Sequence, residues 1–97
     1  MGDMKRFRAR IDALDDRIIS ALGERFAVCR EVAAHKHGRG IPMMQHGRIV
    51  EIKERLATLA ERHAVDAAIL ERVYDIIIQA SCDLEEQIIA ELGRSEQ

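Results

Sequence analysis

The 97 residues suffice for one small domain, residues 1–97, and a chain this short has a thin core when alone, for which oligomerisation is a common remedy. Hydrophobic residues make up 47% and charged residues 33%, with one Pro, two Phe and one Tyr, which is the profile of a helical bundle and excludes a sheet protein. A formal net charge of −2 offers no basic footprint for nucleic acid, no apolar run is long enough to span a bilayer, and with no signal peptide in view the expected location is the cytoplasm.

The first predicted helix runs from about Met4 to His37, with Asp3 as its N-cap. Ile11, Leu14, Ile18, Leu22, Phe26, Cys29 and Val32 give it a long apolar face, and Asp12, Asp15, Asp16, Arg17 and Glu24 line the solvated side. At some 34 residues it would be about 50 Å long, more than so short a chain can wrap, which predicts a partner along its length. Gly38-Arg39-Gly40-Ile41-Pro42 ends it, because the glycines free the backbone and the proline stops continuation.

Met43, Met44 and Gln45 lead into a second helix from about Gln45 to Arg62, with Ile49, Ile52, Leu56 and Leu59 on its apolar face and Arg48 and Arg55 beside it. His63-Ala64-Val65-Asp66 reads as a turn, and Asp66 caps a third helix from Ala67 to about Leu92. Leu70, Val73, Ile77, Ser81, Leu84 and Ile88 mark that helix's inner face. Three unequal helices with short connections make one all-α domain.

Within the first helix Ile18, Leu22, Arg25, Cys29, Val32 and Lys36 step by four, three, four, three and four, so two cations interrupt one apolar stripe. A buried charge needs a partner of opposite sign, and a small dicarboxylate substrate would supply it. Arg25 and Lys36 share a face at roughly 16 Å, close enough to bracket a small molecule. Arg8 lies about 25 Å from Arg25 along the axis and on another side, so it would reach the same ligand only from a second, antiparallel copy. Arg48 enters just after the loop, and Ser81 and Glu85 share a face of the third helix at i and i+4.

Duller readings stand beside these: Arg25 as a cation paired with an acid on a neighbouring helix, Lys36 as a helix C-terminal cation, and Ser81 as a small packing residue. The cysteines Cys29 and Cys82 form no disulfide framework and sit on apolar faces as small hydrophobes. The histidines have no metal-ligand spacing, and no nucleophile-base arrangement stands out.

The run Arg8-Ala9-Arg10-Ile11-Asp12-Ala13-Leu14-Asp15, then Leu22-Gly23-Glu24-Arg25, Lys36, Ile41-Pro42 and Arg48, resembles the all-helical chorismate mutases over about residues 6–92. The resemblance implies an intertwined homodimer in which each chain gives one long and two shorter helices, with two active sites. It implies that Arg25 and Arg48 clamp substrate carboxylates and that Arg8 reaches in from the partner. It gives Lys36 a carboxylate and the ether oxygen of the breaking bond, and Ser81 a place near a carboxylate. The implied reaction is the rearrangement of chorismate to prephenate, which needs no cofactor and no metal, since holding the folded conformer and stabilising charge on the ether oxygen suffice.

Two departures from the family pattern carry expectations. Glu85 stands where the usual mutases have a glutamine donating to the ether oxygen, so it assists only when protonated, and activity should decline as pH rises. Gln45 and Ile49 stand where a pair of acids usually meets the ring 4-hydroxyl, which opens two related substrates on the same scaffold: 4-amino-4-deoxychorismate for a mutase, or isochorismate for a pyruvate lyase. A non-catalytic helical dimerisation module, its cations serving only ion pairs between subunits, is the alternative of another class.

Overall fold

Three helices make up the computed structural model, which describes residues 2–42 and 45–96: α1 (Gly2–Arg39), α2 (His46–Arg62) and α3 (Ala67–Ser95). No strand occurs among the described residues, in keeping with the all-α expectation. The expected lead-in at Met43 and Met44 lies outside them.

α1 extends two residues beyond its expected span at either end. Asp3 is therefore not a cap. It lies inside the first turn, pairs with Arg6 at 3.5 Å, and still places its carboxylate at the positive end of the helix. At the other end Gly40 takes φ +64, Ile41 N donates to Lys36 O at 3.0 Å and Gly40 N donates to His37 O at 3.4 Å. These two bonds are the Schellman pattern, and they turn the chain at Gly40, one helical turn past Lys36.

α2 ends the same way without a glycine. Ala64 adopts φ 55, with Val65 N donating to Ala60 O and Ala64 N to Glu61 O. Asp66 then caps α3 as expected, its Oδ1 accepting from Ile69 N at 3.0 Å.

α3 is the central element, packing against both α1 and α2, whereas α1 and α2 do not pack on each other among the described residues. Arg25 meets Ser81 and Lys36 meets Glu85, so α1 and α3 run in the same direction. Lys53 of α2 bonds back to Asp75 at 3.1 Å and Glu71 at 3.8 Å on the early part of α3, as an antiparallel neighbour would.

The core is thin. Among the described residues only Ala33, Leu56, Ala60, Ser81 and Glu85 are buried, so two of the most enclosed side chains are polar. The radius of gyration is 17.4 Å, against about 13 Å for a compact chain of this length, and the long axis measures 62 Å.

The face expected to be buried along all of α1 is covered only in part of its second half, where Leu22, Phe26 and Cys29 are half-buried while Val32 is exposed. Ile11, Leu14 and Ile18 are 56%, 51% and 64% exposed, and every residue from 2 to 21 is exposed. The reason is geometric: the side-chain bonds that tie α1 to α3 are made by Arg25 and Lys36, both in its second half, while residues 2–21 are left exposed. Val73, expected on the inner face of α3, is likewise exposed.

Candidate active site

The second half of α1 presents Arg25, Cys29, Val32 and Lys36 to α3. α3 answers with Ile78, Ser81, Cys82 and Glu85, spaced three, one and three, which is one face of a helix. α2 closes the third side with its first two turns, through Gln45, Arg48, Ile49 and Ile52. Together they wall a half-open cavity of about 520 Å³, a size suited to a small molecule.

Arg25 is held at several points. Its Nη1 donates to Ser81 Oγ at 2.6 Å and approaches Cys29 Sγ at 3.9 Å, and its guanidinium carbon lies 6.0 Å from the centre of the Tyr74 ring. Ser81 donates its own hydroxyl proton to Ile77 O at 2.7 Å, so its oxygen faces Arg25 as an acceptor. Ser81 is thus neither a packing residue nor a free donor. It fixes a guanidinium whose remaining N–H groups can address an anion.

Lys36 Nζ lies 2.9 Å from Glu85 Oε1, and the two side chains are 12% and 11% exposed. The pair joins α1 to α3 across the cavity. In it the carboxylate offsets the ammonium in place of a bound anion. Beside it, burial first and the charge of Glu85 second push the Cys82 thiol above its ordinary range.

The rim is wetter. Arg48 is exposed and pairs with Glu51 one turn on, at 3.3 Å. Gln45 occupies the N-cap of α2 with extended backbone, and its side chain makes no cap bond there. Ile49 is half-buried. Of the residues singled out from sequence, Arg25, Lys36, Gln45, Arg48, Ile49, Ser81 and Glu85 line this one cavity, and Arg8 does not, standing on the exposed first half of α1.

Sequence reasoning gave no site role to Cys29, Cys82, Ile78, Ile52, Val28 or Tyr74. The helical spacing to Ser81 could have found Ile78, Cys82 and Tyr74, which stand three before, one after and seven before it.

Comparison with known proteins bears on this arrangement. The family model for chorismate mutase type II matches residues 7–86, from the exposed half of α1 through the cavity face of α3. The chain is 34% identical over 89 residues to a 4-amino-4-deoxychorismate mutase of Streptomyces venezuelae, covering 92% of this chain and 86% of that one. It is 37% identical over 86 residues to a protein of the same name from Streptomyces pristinaespiralis, covering 89% of this chain and 67% of that one. A chorismate mutase of Methanocaldococcus jannaschii is 30% identical over 88 residues, covering 91% and 89%. With all of α2 and most of α1 and α3 inside the match, the chain belongs to the chorismate mutase type II family.

Proposed function

We propose that this chain is a mutase-type isomerase that rearranges chorismate to prephenate, working as a homodimer with two equivalent sites. The observation that carries the reading is that Arg25, Lys36 and Arg48 line one helix-walled cavity in a chain of the mutase family. The reaction breaks the ether C–O bond and makes a C–C bond within one molecule. The protein therefore has to hold the reactive conformer and meet the negative charge that grows on the ether oxygen.

Arg25, positioned by Ser81, clamps one carboxylate and Arg48 turns from Glu51 to another. Lys36 faces the ether oxygen. Glu85 opposes that charge as a carboxylate and donates to it as a carboxylic acid, so the protonated form is the working one. The lysine and the acid then flank the breaking bond together.

The dimer is supported by the stripe Met4, Phe7, Ile11, Leu14 and Ile18, which steps by three, four, three and four and lies between 46% and 64% exposed. Such a periodic apolar face on a projecting helix suits a second helix. Arg8 stands on the same segment, and an antiparallel copy would carry the partner's Arg8 to the cavity that this chain's own Arg8 misses.

A second reading, 4-amino-4-deoxychorismate as substrate, is favoured by one feature: the corner that would meet the ring 4-substituent is Gln45 and Ile49, without an acid. The two Streptomyces relatives bear that substrate in their names. Among relatives named as mutases, rearrangement is favoured over release of pyruvate.

The deciding experiment offers purified protein chorismate, 4-amino-4-deoxychorismate and isochorismate in parallel and follows the rearranged products and free pyruvate. Rearrangement of either of the first two is expected. Turnover of none, with the protein folded, would leave the dimerisation-module reading in its place.

A further inference from the structure

Two thiols stand in the cavity wall, and the rearrangement uses neither. Cys29 comes from α1 and Cys82 from α3, both half-buried and both unpaired. A single guanidinium nitrogen of Arg25 touches Cys29 Sγ at 3.9 Å and the hydroxyl of Ser81, chain neighbour of Cys82, at 2.6 Å. The two thiols are not equivalent. Burial pushes the Cys82 thiol up, with the Glu85 charge adding to it and the Lys36 charge only partly opposing it, whereas Cys29 Sγ has a guanidinium nitrogen of Arg25 within 3.9 Å. Thiol exchange proceeds through the thiolate, and cations beside a thiol favour an incoming anion.

We propose that Cys29 is a modification site for small disulfides that carry carboxylates, and that the adduct closes the cavity. The cations that suit a dicarboxylate substrate suit such a disulfide for the same reason. In the step the Cys29 thiol gives its proton to solvent and its sulfur attacks one sulfur of the disulfide. A new S–S bond forms to Cys29, the original S–S bond breaks, and the other half leaves as a thiolate with the bonding pair. The disulfide is the oxidant, Cys29 is oxidised, and a small dithiol reverses the change. Attachment stands on the geometry alone. Closure of the site to substrate rests on the mutase reading.

The test treats the full chain with dithiobis(nitrobenzoate), which bears carboxylates, and with neutral dithiodipyridine, each rate scaled to that of N-acetylcysteine. The anionic reagent is expected to react faster by about tenfold or more, with the excess shrinking as sodium chloride is added. The fast phase persists in Cys82→Ser and is lost in Cys29→Ser. Peptide mapping of labelled wild-type protein places the adduct on Cys29 whether or not that variant folds. Labelling abolishes rearrangement, and dithiothreitol restores it. An adduct confined to Cys82, or equal scaled rates for the two reagents, overturns attachment. Full activity in stoichiometrically labelled protein overturns closure. Unlabelled protein inactive on every substrate counts against the mutase reading alone, since the labelling rates still decide attachment.

Discussion

Lys36 Nζ and Glu85 Oε1 meet at 2.9 Å between α1 and α3, each side chain about nine-tenths enclosed. In the proposed mechanism the same two side chains face the ether oxygen of the substrate. Ligand entry would therefore part the pair.

That relationship sets what a substitution at Glu85 does. A carboxylate here repels the charge that grows on the ether oxygen, whereas the Glu85→Gln amide donates to it without needing a proton, so Glu85→Gln is expected to raise kcat/KM by about tenfold. Rate measurements on both proteins check this, and a Glu85→Gln rate no higher than wild type would remove Glu85 from the mechanism.

Ser81 acts through Arg25. Removing its oxygen with Ser81→Ala frees the guanidinium from a 2.6 Å bond but leaves the backbone of α3 intact. Loss of one such charge-assisted bond is worth about 1.5–3 kcal/mol, or roughly ten- to a hundredfold in kcat/KM. The same bond joins α1 to α3, so the thermal midpoint should fall by several degrees as well, and the loss in kcat/KM should persist at temperatures well below that midpoint. Steady-state kinetics alongside a melting curve separates a positioning role from a merely structural one.

A stability prediction comes from the turn after α2. Ala64 holds φ 55, where an L side chain is strained by roughly 1–2 kcal/mol and glycine is not. Glycine's greater freedom in the unfolded chain offsets part of that, so Ala64→Gly is expected to stabilise by about 0.5–1 kcal/mol. Ala64 lies outside the cavity wall, and turnover should stay at the wild-type value. Denaturant titration with an unchanged slope would register the gain.

How far the sequence could be read follows from the range of the forces involved. Helix periods, the Asp66 cap and the glycine turn after Lys36 depend on neighbours within a few residues, and all three are found where local pattern puts them. The stripe through Arg25 and Lys36 also announced itself, because two charges on an apolar face break a local rule. The Arg25–Ser81 bond joins residues 56 apart, and no local pattern says that the hydroxyl faces a guanidinium. Cys29 and Cys82 escaped for a related reason: a small apolar-like residue on a helix face looks the same whether it faces a core or a cavity. The exposed half of α1 is the converse case, since periodicity marks a face as apolar without saying which chain covers it.

The origin of Arg8 in the site can be tested by mixing two inactive proteins. Arg8→Ala spoils the site of the other copy, and Arg25→Ala spoils its own, so each homodimer has two damaged sites. In a mixed dimer one site collects both substitutions, and the other has an intact Arg25 facing an intact partner's Arg8. Equal mixing after reversible dissociation makes half the dimers mixed, and about a quarter of wild-type activity should return. Ile11→Asp or Leu14→Asp, placed in the exposed stripe, should abolish that recovery and shift the protein toward monomer in sedimentation. If mixing restores nothing while mass spectrometry shows that mixed dimers formed, Arg8 does not serve the site across the interface.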